Sequence, residues 1–295
     1  MPISNLKKKR ILALKKEFDR LRSGKEALLA LVDEAEVPEN VYNSNAIENS
    51  TLTLKETEKI LLEQEVSRDI SLREVFEAKN LARVIAYKKN KVKEKTLGKE
   101  LILLLHQMLI GGIDDQISGR FRQAGEYVRV GTHIAPAPEK VESLIDQLLT
   151  DYENDHADFF LDKIAAFHLG FETIHPFCDG NGRIGRVLLN FQLLQAGFPR
   201  VIIRDKEKKE YYKAFGEWRE KKSAKTMEKI LVLALQESFN KRISYLKSET
   251  IVSLSDYASA KSLSLSSLIN AARRQSIPAF REKGVWKISS EFKYE

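Results

Sequence analysis

Apolar residues recur at helical spacing along most of the chain. Over residues 6–35, Leu6, Ile11, Leu14, Phe18, Leu21, Leu28 and Leu31 keep that rhythm. Pro38 suits the first turn of a new short helix. Thr53, with Glu56 three positions on, has the spacing of a capping box. Further helices are predicted over 71–90, 97–110, 138–153, 159–174, 184–196, 206–220 and 225–247. Residues 118–138 break the pattern. There Tyr127, Val128, Val130 and Ile134 alternate among closely spaced Gly and Pro, which suits a short hairpin, although a plain surface loop would read the same way. Past residue 250 the chain becomes Ser-rich, and the rhythm predicts short helices over 253–262 and 264–275 and a two-stranded wing over 279–289. The predicted fold class is therefore all-α, with one hairpin and a small C-terminal domain.

Composition adds bounds. The 295 residues are 43% hydrophobic and 31% charged, an ordinary globular mixture with room for a large and a small domain. No apolar run reaches the length of a membrane span, and the basic N-terminus lacks the h-region of a signal peptide. The single cysteine, Cys178, excludes an internal disulfide and fits a reducing compartment, so the expectation is a cytoplasmic protein without a membrane partner. A formal net charge of +7 points to an anionic ligand such as a nucleotide or nucleic acid.

Candidate chemistry concentrates in residues 174–186, IHPFCDGNGRIGR. Gly180-Asn181-Gly182 make a tight turn, and an amphipathic helix starts at about Gly182. A glycine-rich turn at a helix N-terminus presents unpaired N–H groups and the positive end of the dipole, which together bind phosphate. Arg183 and Arg186 lie three apart on the same helix face and can grip phosphate oxygens. Asp179 offers a hard carboxylate suited to Mg²⁺, and His175 a neutral imidazole able to take a proton from a hydroxyl. A solvated helix–turn–helix corner is the bland alternative. The Lys of a P-loop is absent. His106, His156 and His168 show no metal-ligand spacing.

The string His-Pro-Phe-x-Asp-Gly-Asn-Gly-Arg-x-x-Arg at 175–186 resembles the signature of the Fic (Fic/Doc) family at every defined position, and the likeness extends over roughly residues 40–245. The resemblance implies a Fic-type helical core that transfers AMP from ATP, with Mg²⁺, to a Ser, Thr or Tyr hydroxyl of a target protein. It implies His175 as general base, Phe177 as loop anchor and Asp179 as metal ligand. Gly180, Asn181, Gly182, Arg183, Gly185 and Arg186 become the phosphate site. Cys178 falls at the variable position and reads as a filler. The hairpin at 126–137 resembles the family's target-docking flap, which would bring Gly131, Thr132, His133 and Ile134 near the nucleotide. Tyr211 and Tyr212 match a region that lines the adenine pocket, and are equally readable as core.

Upstream, Ser44 and Glu48 are four apart and face one way on a helix. The segment resembles the family's inhibitory helix, at about 40–49, and implies a Glu48–Arg186 pair that withholds the arginine from the γ-phosphate. The same Glu could instead position a water for AMP removal. Residues 253–289 resemble a winged helix–turn–helix, in which Arg273, Arg274, Arg281, Lys283 and Lys287 could reach DNA phosphates. A protein-packing or homodimer-bracing domain is the alternative. The expected divisions are 1–95, an N-terminal helical region; 96–248, the catalytic core; and 252–295, the winged domain. A DNA-binding regulator that only senses nucleotide is the competing function, and transfer of phosphate or phosphocholine by the same loop is a third.

Overall fold

The computed structural model describes residues 3–66, 70–91, 96–155 and 159–294; His156 lies outside them. In chain order the helices are α1 (Asn5–Arg22), α2 (Glu26–Ala35), α3 (Val37–Ile47), α4 (Leu54–Glu58), α5 (Leu72–Lys91) and α6 (Lys99–Ile110). A hairpin follows, β1 (Arg129–Val130) and β2 (His133–Ile134), and then α7 (Val141–Asn154), α8 (Phe160–Ile174), α9 (Asn181–Gln195), α10 (Lys208–Lys221) and α11 (Lys225–Leu246). The chain ends with β3 (Ile251–Ser253), α12 (Leu254–Ala260), α13 (Leu265–Arg273), β4 (Phe280–Glu282) and β5 (Val285–Ser289). Among the described residues no helix is long and apolar enough to cross a membrane.

The apolar rhythm over 6–35 resolves into two helices broken at Ser23–Lys25, with Leu6 and Leu31 on the surface rather than in a core. Thr53 accepts from the Glu56 amide while the Glu56 carboxylate accepts from the Thr53 amide, the complete reciprocal cap of α4. The C-terminal sheet has a strand beyond the expected wing: β3 pairs with β5, giving the antiparallel order β3-β5-β4. Three residues are too short a run for alternation to announce them.

Two compact units emerge. The first takes residues 37–198 and 202–228, and the second takes 3–36, 199–201 and 229–295. In the first, α5, α6, α8 and α9 enclose a core of Leu81, Val84, Ile102, Leu105, Phe167, Phe171, Ile184 and Leu188, onto which Phe177 packs from the loop between α8 and α9. Nearly all of α9 is buried, so its polar residues are committed to interior contacts.

In the second unit Phe18 meets Phe239 edge-on at 5.6 Å. The guanidinium of Arg242 is buried against the carboxylates of Asp33 at 2.7 Å and Glu36 at 2.6 Å. A smaller core gathers Leu254, Tyr257, Leu268, Ala272 and Ile288. Gln275 closes it: its carbonyl accepts from Asn240, and its amide donates to the Ala272 and Ala279 carbonyls. Removing one partner of a buried pair strands the other charge. Arg242→Leu is therefore expected to cost the second unit about 3–5 kcal/mol, read as a lowered denaturation midpoint. An unchanged midpoint would mean the pair contributes nothing.

Candidate active site

The loop 175–180 joins two helices that pack on each other, and its conformation is held from four sides. His175 ends α8 in the left-handed region (φ 52°), with its amide donating to the Phe171 carbonyl at 2.9 Å. Asn181 pins the loop through both ends of its amide: it accepts from the Phe177 N–H and donates to the Phe177 carbonyl, each at 2.8 Å. Asn181 is buried, so in this state its side chain serves the loop. Arg122 donates to the carbonyls of His175, Ile174, Glu126 and Pro136, tying the loop to the chain that leads into the hairpin.

His106, on α6, is the fourth support. Its ring stacks on Phe177 with centroids 3.7 Å apart and planes 3° from parallel. Its Nδ1 accepts from the Gly119 amide, so Nε2 carries the hydrogen and donates to the Asp179 carbonyl at 3.0 Å. Burial holds this imidazole down to about 4, and it stays neutral.

These supports converge the candidate residues. Asp179 accepts from the Gly180 amide and lies 3.0 Å from Arg183; its other oxygen accepts from Arg73 on α5. Burial alone would raise this carboxyl. The charge of Arg183, the Gly180 N–H and Arg73 outweigh burial and hold it below the usual carboxylate range. Glu77, one turn beyond Arg73, lies 3.1 Å from both Arg73 and Arg183. Arg73, Asp179, Arg183 and Glu77 thus form a closed ring of alternating charge.

Arg186 is buried and donates to the Ser44 hydroxyl at 2.9 Å, the Ser44 carbonyl at 2.7 Å and Glu48 at 2.8 Å. Behind it the Tyr211 hydroxyl sits at 3.5 Å and bonds His168 at 2.7 Å. Glu48 lies over Gly182, where any side chain would collide with its carboxylate. Both ends of α3 are clamped in turn: at its C-terminal end Tyr212 donates to the Ile47 carbonyl and Lys208 to Asn49, and in its first turn Glu39 pairs with Arg204.

The structure therefore brings together His175, Asp179, Gly180, Asn181, Gly182, Arg183, Arg186, Ser44 and Glu48. Tyr211 is buried behind Arg186, and Tyr212 is partly exposed beside α3. Gly185 lies one turn deeper, against Glu172 and His168. In the hairpin, Val130 pairs with His133, and His133 donates to the Thr173 carbonyl at 2.9 Å, which places the flap beside the loop. Tyr127, Val130 and Ile134 are exposed there. Burial first, and the charge of Glu126 second, push the Cys178 thiol up to about 11, so it is no thiolate nucleophile near neutral pH.

Arg73, Glu77, His106, Arg122 and Glu172 escaped the reading of the sequence. Each lies outside the motif string, and none sits in a pattern that differs from an ordinary helix face or loop.

The donor set suits Mg²⁺. Among the described residues no three acidic, His or Cys side chains gather as a metal cage. Mg²⁺ characteristically takes one or two carboxylates and completes its octahedron with water and substrate phosphates. Asp179 beside a helix N-terminus provides that single carboxylate.

Residues 96–193 match the model of the Fic/DOC family. A protein adenylyltransferase Fic from Nematostella vectensis is 34% identical over 181 residues, covering 59% of this chain and 41% of the relative. One from Drosophila virilis is 29% identical over 215 residues, covering 71% and 44%. The chain thus spans less than half the length of these relatives. A Fic domain containing signaling protein from Bacteroides thetaiotaomicron superposes with a TM-score of 0.74 at 25% identity, covering 81% of this chain and 97% of that one. A Fic family protein from Desulfovibrio desulfuricans shares the fold across 97% of both chains, with a TM-score of 0.65 at 22% identity.

If His106 holds the loop, His106→Ala removes a ring stack and two buried hydrogen bonds. The expected cost is about 3 kcal/mol, together with faster amide hydrogen exchange over 177–182. Unchanged exchange there would show that the loop stands without the ring.

Proposed function

Residues 96–193 form a Fic/DOC family domain, and from that premise we propose that this protein transfers AMP from ATP to a hydroxyl of a target protein. The observation that carries the reading is the convergence, on one braced loop and the helix it opens, of a half-buried neutral imidazole, a carboxylate and two arginines. Burial holds the His175 imidazole down to about 4, so near neutral pH it is unprotonated and able to act as a base.

The residues then divide the work. His175 takes the proton of a Ser, Thr or Tyr hydroxyl whose backbone is aligned by the exposed edge of the hairpin. The freed oxygen attacks the α-phosphorus in line. An O–P bond forms, the bond to the β-phosphate oxygen breaks, and pyrophosphate leaves with the electron pair. The amides at the start of α9 and Arg183 bear on the phosphate oxygens, where charge accumulates. Asp179 would hold Mg²⁺, which would supply charge neutralisation at the phosphates. Arg186 orients the γ-phosphate.

The brake belongs to the same reading. Glu48 and Ser44 occupy the Arg186 guanidinium, and a carboxylate there withholds the arginine and repels a phosphate. The resting protein is therefore weakly active, and releasing Glu48 activates it. The C-terminal basic residues give less support to a DNA-binding regulator: Arg281 pairs with Glu237 at 2.6 Å and Lys287 with Glu282 at 2.6 Å.

Purified protein incubated with Mg²⁺ and ATP labelled on the α-phosphate tests this. Glu48→Gly should raise protein-bound label by about 5–150-fold, the range of a typical coupling energy. Adding His175→Ala should lower it by at least about 100-fold. Binding of ATP without label in any variant would overturn transfer. Equal label with and without Glu48 would overturn the brake alone.

A further inference from the structure

Glu172 stands three residues before His175 at the end of α8, and its side chain is buried. Its Oε2 lies 3.9 Å from His175 Nδ1. Neither Glu172 Oε1 nor His175 Nδ1 has a hydrogen-bond partner among the described residues. A carboxyl in such a place is costly to bury and calls for a reason. The neighbouring helix makes room for it: any side chain at position 185 would collide with Glu172 Oε1 and crowd the His168 ring. The missing side chain at Gly185 thus leaves room for this carboxyl.

We propose that Glu172 is a positioning residue for the general base: its carboxylate accepts the Nδ1–H of His175, fixing the tautomer that leaves Nε2 open to the target hydroxyl. This rests on the AMP-transfer reading above. The 3.9 Å separation is longer than a hydrogen bond, as catalytic contacts often are before the reactants bind. In the step itself the hydroxyl proton moves to Nε2, Nδ1 keeps its own proton, and the imidazolium formed is offset by the carboxylate beside it. A base oriented by a third group is the general logic of activated nucleophiles.

The surroundings set the pH at which this operates. Glu172 faces His168 and His175 from its own helix and its cap, Arg186 from α9, Glu48 from just beyond α3, and Tyr211 and Tyr212 from α10. Burial pushes its carboxyl up to about 8, the charge of Glu48 adds to the rise, and Arg186 opposes it. The sign follows. The ionised carboxylate is the stronger acceptor and alone offsets the imidazolium charge, so transfer rises with pH as Glu172 ionises and falls as pH drops below its pKa. Removing Glu48 removes a like charge, so the rising limb of Glu48→Gly lies at lower pH than that of the wild type.

The test compares Glu48→Gly with the double variants Glu48→Gly/Glu172→Gln and Glu48→Gly/Gly185→Ala. AMP transfer is measured against pH, and the full-length proteins are labelled with ¹⁵N-histidine for NMR, where His175 is one of five histidines. Glu172→Gln should lose at least about tenfold in rate, lose the acid limb, and keep the ATP Kd within about twofold. His175 should leave the Nδ1–H tautomer. Gly185→Ala should reproduce both changes by displacing the carboxyl. Should Glu172→Gln fail to fold, the wild type carries the test: the Glu172 carboxyl ¹³C titration must coincide with a step in the His175 ring shifts. An unchanged pH profile with an unchanged His175 tautomer overturns the proposal, as does a Glu172 titration that leaves His175 still. If no variant transfers AMP, the NMR arm still decides about Glu172, and the failure then belongs to the functional reading.

Discussion

A guanidinium cannot be buried without acceptors, and the arrangement of the first unit follows from how Arg186 is satisfied. Its donors point to a hydroxyl, a backbone carbonyl and a carboxylate, all from the last turn of α3 and the residue that follows it. The backbone carbonyl matters as much as the acid. It requires the end of α3 to lie against α9, where Lys208 and Tyr212 clamp it, while Arg204 holds the first turn through Glu39. Gly182 then has to be bare, because the Glu48 carboxylate occupies the space its side chain would take. A nucleotide that claims Arg186 must replace every one of these bonds or leave a buried charge unpaired. The proposed brake is thus a structural contact as well as an electrostatic one.

Arg183 and Asp179 follow the same logic one turn earlier. Arg73 and Glu77 complete their charges from α5. The ring is neutral in sum, so the start of α9 carries no large uncompensated field.

The loop can bear these demands because its backbone is overdetermined. Asn181 closes it across four residues, Arg122 collects four carbonyls, and His106 both stacks under Phe177 and bonds the Asp179 carbonyl. Polar groups engaged this fully act as rigid supports, since losing any one bond leaves a buried donor or acceptor exposed to its full desolvation cost. Glu172 is the exception: a buried carboxyl whose one oxygen lacks a partner, next to an imidazole nitrogen in the same condition. Two unmet groups side by side are where a change of protonation does least harm to the fold.

The sequence by itself determined whatever depends on neighbours along the chain. The helical period placed most of the helices, the capping box at Thr53 was readable from two residues, and the string 175–186 announced a glycine turn at a helix start with an imidazole and a carboxylate beside it. Those features are local: the interacting groups lie within a turn or a loop of one another. Tertiary structure alone decided what reaches that loop from elsewhere. His106, Arg122, Arg73 and Glu77 lie between 53 and 106 positions from His175, Asp179 and Arg183, which they hold, and nothing in their own surroundings distinguishes them from other polar residues of helices and loops. The same holds for Gly185, which reads as part of the phosphate motif, while the carboxyl it accommodates comes from the preceding helix. A side chain's role at such a distance is set by which helices pack together. That packing is fixed by the sum of many apolar contacts, and no short stretch of residues encodes it.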